Sequence, residues 1–364
     1  MNSDSLEVQS DYQQQLSDKI DRYKALMADA GFSLPELEIH DSAPFGFRMR
    51  AEFRVWHENG QAHYAMNKPG EKRPFIIQDF PIGSALINQL MPQIMVAVNK
   101  SDTLSYKLFS MEYLTTTTGE ALITLIYHRQ LDDQWQQVAE QLQSTFNIKV
   151  IGRSRKQKVV LCDDFVTETL EVNQRQYSYQ QVEASFTQPN AQVNQKMLTW
   201  ATNCLSEISG DLVELYCGNG NFTAVLAQYF DKVLATEISK VSVNSANTNF
   251  AANKIDNVTI ARLSSEEFTQ ALIRERAFRR LADIDLDSFN FSTIFVDPPR
   301  AGLDAGTERL VTQMDNILYI SCNPDTLAEN LKHITKTHRV VKAALFDQFP
   351  WTHHIESGVY LQRI

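Results

Sequence analysis

Two short segments near the C-terminal end carry residue types that could do chemistry. The first reads Leu318-Tyr319-Ile320-Ser321-Cys322-Asn323-Pro324, and about thirty residues later comes His353-His354-Ile355-Glu356-Ser357-Gly358. A cysteine that ends an apolar run and precedes Asn-Pro suits a strand-to-loop edge, where the thiol is held rigidly. A carboxylate close to the chain end can meet it in space. Together they supply a nucleophile and a base, the two groups needed to methylate a pyrimidine at carbon. Carbon 5 of that ring is a poor nucleophile until a thiolate adds to carbon 6. A base must then remove the carbon 5 proton so that the thiol is eliminated. Cys322 is the candidate nucleophile and Glu356 the candidate base. The thiol needs activation, and the sequence does not name the group that provides it.

A second pattern precedes these. Glu214-Leu215-Tyr216-Cys217-Gly218-Asn219-Gly220-Asn221-Phe222-Thr223 reads as a strand, a Gly-rich turn and a helix start. The glycines permit a sharp turn and close approach of backbone to a ligand. Glu237 ends the next strand, 23 residues after Glu214, where a carboxylate can accept from both hydroxyls of a ribose. A nicotinamide cofactor would call for a third glycine and a pyrophosphate site, but position 223 is Thr. S-adenosylmethionine, with a ribose and an adenine but no phosphate, fits better. Glu266-Glu267-Phe268 could approach its adenine. Asp297-Pro298-Pro299-Arg300 ends a later strand, with two prolines to stiffen the turn beside the reacting methyl. Asp297 could hydrogen-bond a uracil edge or orient the site. Asp-Pro-Pro also occurs in adenine amine-methylating enzymes, where an aromatic residue follows; here Arg300 follows. Cys217 reads as packing, and His353 and His354 as surface residues.

These groups need a frame. At 364 residues the chain suits two domains, and its 43% hydrophobic and 21% charged fractions are those of a soluble globular protein. In residues 185–364 strand-like and helix-like segments alternate, which predicts a doubly wound, largely parallel sheet with ligands at the C-terminal strand ends. Residues 1–184 read as an α+β module. It has an amphipathic helix over 8–30, a hairpin turning at Asn59-Gly60, and a helix over 83–99 that Pro92 could break. Strands over 108–115 and 121–128, a helix over 135–146 and short strands to residue 162 follow. No apolar run approaches a membrane span, and the polar, acidic start does not read as a secretory leader, so a cytoplasmic protein is expected. Cys162, Cys204, Cys217 and Cys322 form no CxxC pair, so no metal or iron–sulfur site is expected. The net charge of -10 weighs against a nucleic-acid partner, but the local field of a patch decides. Candidate patches are Arg48-Met49-Arg50 with Arg54, Lys72-Arg73, and Arg153-Ser154-Arg155-Lys156-Gln157-Lys158.

The whole chain resembles the bacterial tRNA (uracil-5-)-methyltransferase family of RNA 5-methyluridine enzymes. The likeness rests on six blocks in order, among them Arg48-Met49-Arg50-Ala51-Glu52-Phe53-Arg54, Ser185-Phe186-Thr187-Gln188-Pro189-Asn190 and Phe346-Asp347-Gln348-Phe349-Pro350. The others are the Gly-rich turn, the Asp-Pro-Pro-Arg strand end and the Cys322 segment. The resemblance implies a Rossmann-like class I S-adenosylmethionine-dependent methyltransferase sheet behind an N-terminal α+β RNA-binding domain. It implies that Gln188, Tyr216, Asn221, Glu237 and Asp297 line the cofactor site, and that Cys322 and Glu356 act as nucleophile and proton acceptor. Arg54 and Phe109 match positions linked to RNA handling. The implied substrate is uridine 54 in the T-loop of tRNA, with the T-loop-like element of transfer-messenger RNA as a second, and the implied protein is a monomer that also assists tRNA folding. Related ribosomal RNA enzymes carry an extra barrel and a four-cysteine iron–sulfur site, for which this chain lacks the length and the cysteines.

Overall fold

The structure, a computed structural model, describes residues 3–68, 70, 71 and 73–364. Lys72 of the second basic patch lies outside the described residues. The chain opens with helix α1 (Ser3–Asp29) and strand β1 (Leu37–His40). A middle section follows, with β2 (Arg50–Glu58), β3 (Gln61–Met66), β4 (Phe75–Ile76), α2 (Ala85–Asn99), α3 (Asp102–Ser105), β5 (Leu108–Thr115) and β6 (Ala121–Tyr127). It ends with α4 (Asp133–Phe146), β7 (Lys149–Ser154) and β8 (Gln157–Val160). A hairpin of β9 (Phe165–Val172) and β10 (Arg175–Val182) comes next. The remainder alternates: α5 (Ala191–Leu205), β11 (Asp211–Leu215), α6 (Asn221–Leu226), β12 (Val233–Thr236), α7 (Lys240–Ala252), β13 (Val258–Ala261) and α8 (Ser265–Leu272). Then come β14 (Phe291–Val296), α9 (Ala305–Val311), β15 (Asn316–Ser321), α10 (Pro324–Ile334), β16 (His338–Phe346) and β17 (Glu356–Arg363).

The chain divides into two compact units, but not by a single cut at residue 184. One unit holds the segment ending at Pro44, Leu170–Tyr179 and Gln192–Ile364; the other holds Phe45–Thr169 and Gln180–Ala191. The segment ending at Pro44 joins the C-terminal half for two physical reasons. Tyr23 and Met27 of α1 are buried in that half's core, and β1 pairs in parallel with β16, Leu37 beside Ala343.

The first unit is built on an eight-stranded sheet in the order β1-β16-β17-β15-β14-β11-β12-β13. Its β11 strand, all buried, pairs in parallel with β12 on one side and β14 on the other. Strand order reverses there, which is where ligands gather in such sheets. One strand departs from the parallel pattern: β17 runs antiparallel between β15 and β16. That insertion carries Glu356 to the open end of the sheet. The second unit is a seven-stranded sheet, β4-β3-β2-β5-β6-β7-β8, over a core that includes Phe53, Met91, Tyr113 and Trp135. Pro92 does not break α2, which runs uninterrupted across it. The hairpin of β9 and β10 is not legible in the sequence, because one of the buried positions in the alternation of β9 is occupied by Glu168, which interrupts the apolar pattern.

Candidate active site

The Gly-rich turn follows β11. Tyr216 itself takes a left-handed φ of 62°, Gly218 one of 57° and Gly220 one of 79°. A Cβ at Gly220 would lie 2.6 Å from the Phe250 ring, so this position requires glycine on both counts. At Gly218 a Cβ would meet nothing within 4 Å; its backbone N–H donates to Glu237 Oε2 at 3.0 Å. Ser239 N–H donates to the other Glu237 oxygen at 2.7 Å, which fixes the carboxylate at a cavity wall. That cavity, about 400 Å³, is lined by Tyr216, residues 236–238 and residues 263–266. Pro299 and Ala301–Asp304 complete it. Tyr216 is held by a hydrogen bond from its hydroxyl to Ser265 Oγ, 2.7 Å. Asn221 is engaged elsewhere, in a reciprocal amide pair with Asn194 at 2.9 and 3.0 Å. Gln188 belongs to the other unit and is half-buried there.

Cys322 follows β15 and precedes α10, half-buried. Asn323 explains the Asn-Pro pair. Its side chain caps α10 by accepting from Asp325 N–H, and its amide donates to the Arg300 carbonyl at 2.9 Å. Thr326 Oγ1 donates to the same carbonyl, so the cysteine loop is tied to the Asp-Pro-Pro-Arg turn. The antiparallel register of β15 and β17 ends with Ser321 beside Ser357. Cys322 and Glu356 flank that last pair, and the Cys322 thiol feels the Glu356 charge. A second cavity, about 320 Å³, contains Cys322, Asn323, Arg300, His353 and His354 in its wall. Successive residues of one turn therefore face two cavities: Pro299 and Ala301 the first, Arg300 the second.

The electrostatics are those of crowded acids. Burial pushes Glu356 up to about 8, with Asp297 adding to the shift and Arg300 opposing it. Burial likewise raises Asp297 to about 7. The Cys322 thiol is pushed up to about 11, first by burial, then by Glu356 and Asp297, while Arg300 pulls it down. Cys217 is buried and its thiol is raised further by burial, as befits packing. No group of three or more His, Cys, Asp or Glu side chains able to hold a metal ion occurs among the described residues.

The second unit carries a separate surface feature. Arg54 on β2 lies over the Phe109 ring, 5.2 Å from its centroid, and Phe109 stacks on His128 at 4.1 Å and 21°. Phe109 sits where the β5–β6 register slips between Leu108 and Ser110, and it is half-buried rather than core. Such an irregularity re-aims a side chain. The other basic patches are largely committed: Arg153 grips Glu183 through two 2.6 Å bonds, Lys158 pairs with Asp164, and Arg50 donates to the Ser185 and Glu183 carbonyls.

The family model of tRNA (Uracil-5-)-methyltransferase matches residues 11–364. A tRNA/tmRNA (uracil-C(5))-methyltransferase of Teredinibacter turnerae is 58% identical over 355 residues, covering 97% of each chain. One from Neisseria meningitidis is 54% identical over 360 residues, covering 97% of this chain and 98% of that one. The chain belongs to the tRNA (uracil-5-)-methyltransferase family. Members of this family are enzymes that methylate uracil at carbon 5. The crystal structure of Pyrococcus abyssi tRNA (uracil-54, C5)-methyltransferase in complex with S-adenosyl-L-homocysteine shares the fold, with a TM-score of 0.70 at 21% identity over 96% of this chain and 83% of that one. The first unit thus has the class I methyltransferase sheet of the tRNA (uracil-5-)-methyltransferase family. No helix among the described residues is long and apolar enough to cross a membrane.

Sequence reasoning does not single out two residues of these clusters. His128 lies just past the end of β6, and its stack on Phe109 depends on a register slip that periodicity does not reveal. Glu214 reads in the sequence only as part of a motif. It is fully buried, its Oε2 has no hydrogen-bond partner, and burial with Asp297 nearby holds it up at about 8.

Proposed function

We propose that this enzyme methylates carbon 5 of uridine 54 in the T-loop of tRNA, and the matching loop of transfer-messenger RNA, through a covalent cysteine adduct. The observation that carries this reading is that Cys322 and Glu356 flank the last register pair, Ser321 beside Ser357, at the open end of the sheet, close enough for Glu356 to act on the thiol. In the proposed sequence the Cys322 sulfur forms a bond to uracil carbon 6, and the ring electrons shift towards carbon 5 and oxygen 4. After alkylation, Glu356 takes the carbon 5 proton, the C6–S bond breaks, and Cys322 is released as a thiolate. Arg300 acts on both groups and favours their charged forms.

S-adenosylmethionine supplies the electrophilic methyl when bound. The residues of the first cavity fit it. The Glu237 carboxylate, anchored by two backbone N–H groups, suits a ribose diol, and no phosphate-binding feature is needed. Tyr216 and Ser264–Glu266 are assigned to the adenosine, and Asp297 to orienting the uracil edge; Asn221 would have to leave its pairing with Asn194 to take part.

The Arg54–Phe109–His128 stack supports RNA binding in the second unit, since such planes suit splayed bases. A target uridine must leave its stack to reach a thiol, so opening of tRNA structure accompanies the reaction. Nucleoside analysis of tRNA after incubation with the protein and S-adenosylmethionine tests the reading. 5-Methyluridine should form from tRNA bearing uridine 54 and not from a cytidine 54 variant. A 5-fluorouridine RNA should give a denaturation-resistant adduct that Cys322→Ala lacks. Absence of that adduct with the unaltered enzyme overturns the covalent route.

A further inference from the structure

The pocket around Cys322 has lining residues beyond those that the proposed uracil chemistry uses. Helix α1 contributes Lys19, Arg22, Tyr23 and Leu26 to it, together with Arg300, His353 and His354. Lys19 is already committed: its ammonium, 3% exposed, donates to Asp347 at 2.6 Å and to the Phe349 carbonyl at 3.0 Å. Arg22 lies three residues on, so it shares that face of the helix one turn later. Arg22 and Arg300 are both exposed, and among the described residues neither has a carboxylate at ion-pair distance. Arg22 donates to the His353 carbonyl, and the His353 and His354 rings lie 4.0 Å apart. After burial, the charges that hold the His354 imidazole below its usual range are His353, Arg300, Lys19 and Arg22. The acid in the lining is Asp325, exposed at the start of α10.

Arg300 already acts on Cys322 and Glu356, but a second exposed guanidinium beside the nucleophile, that of Arg22, has no use for the uncharged pyrimidine. The charges that accompany a nucleotide in RNA are its flanking phosphodiesters, and guanidinium groups suit them. We infer that α1 is part of the substrate site, and that Arg22, with Arg300 and His354, binds a phosphodiester adjacent to the nucleotide whose base meets Cys322. The inference rests on the Cys322 pocket being the uracil site. The buried Lys19–Asp347 pair and the bond from Tyr12 to Asp347 (3.0 Å) hold the helix in place for this role.

The test uses the full-length enzyme, Arg22→Ala and Arg22→Lys, and a T-arm RNA hairpin made with either normal linkages or one uncharged methylphosphonate beside the target uridine. Arg22→Ala should raise the KM for normal hairpin roughly tenfold, the worth of one charge-assisted hydrogen bond. It should leave kcat at saturating RNA little changed and flatten the dependence of log KM on log salt by about 0.7. Arg22→Lys should recover part of the loss. The uncharged linkage should weaken the unaltered enzyme by a similar factor and add nothing to Arg22→Ala. A fall in kcat with an unchanged salt slope would mean that Arg22 only braces the His353 carbonyl, and would overturn the inference. So would an uncharged linkage without effect on the unaltered enzyme, an arm that decides the matter even if Arg22→Ala does not fold. Failure of the unaltered enzyme to make 5-methyluridine in the normal hairpin would instead overturn the reading of the pocket itself.

Discussion

Asp297 is the hub of the acids around the nucleophile: its charge raises Glu214, Glu356 and Cys322 alike. The consequence for turnover has a definite sign. Glu356, held near 8 by burial and Asp297, must be ionised to accept a proton. Methylation at saturating RNA should therefore rise with pH from 6, reach half its maximum near 8 and level off above about 9. Glu356→Gln should lower turnover by about 10²–10⁴ and accumulate the covalent adduct, because the carbon 5 proton is stranded. A flat profile from pH 6 to 9, or normal turnover in Glu356→Gln, would remove Glu356 from the role of base. Glu214 gives a stability counterpart. Its carboxyl rests near 8 in the fold and near ~4.3 in the unfolded chain. The folded state thus keeps a proton that the unfolded chain has released, so this contribution is full below about 4.3 and is lost as pH climbs to about 8. Glu214→Gln should melt about 2–4 °C above the unaltered protein at pH 8.5 and show a smaller gap at pH 5.

Helix α1 acts as a strap on the segment that delivers Glu356. Tyr12 and Lys19 both bond Asp347, and Gln15 exchanges bonds with Thr352 and Trp351, all within ten residues before strand β17. Lys19→Met should cost about 3–5 kcal/mol in denaturant unfolding, because it leaves Asp347 buried without a countercharge. Lys19→Met with Asp347→Asn should recover much of that loss; if the single substitution is neutral, the ion pair is not what anchors the helix. None of this is legible in the sequence, where α1 reads as one amphipathic helix of an N-terminal domain. Local signals find what local forces decide. The alternation around β11 and its glycines mark the turn, and the run into Cys322 marks a strand end. The meeting of Cys322 with Glu356 depends on an antiparallel strand inserted among parallel ones, a pairing between segments 36 residues apart, and no periodicity encodes that. Phe109 by pattern belongs to the core; the slipped register at Ser110 turns it out beside Arg54.

At the scale of the whole molecule, a net charge of -10 has to be reconciled with an RNA substrate. Arg50, Arg73, Arg153 and Lys158, half of the described cations in the sequence patches, are engaged in ion pairs and carbonyl contacts, which leaves fewer cations for phosphate. Affinity for tRNA should then lean on stacking more than on charge, with a shallow salt dependence for a protein that grips a folded RNA. Arg54→Ala and Phe109→Ala should each weaken tRNA binding, by roughly 1–3 kcal/mol for the lost stacking plane, while binding of S-adenosylmethionine stays as it was. Unchanged tRNA affinity would take that stack out of the interface. Because the stack and the thiol lie in different compact units, RNA opening and methyl transfer should also be separable by mutation. Cys322→Ala should retain tRNA unwinding measured with a fluorescent T-arm probe, whereas Phe109→Ala should lose it and keep Cys322 reactive towards thiol reagents. Loss of unwinding in Cys322→Ala would mean that the covalent bond itself, rather than the stacking surface, holds the RNA open.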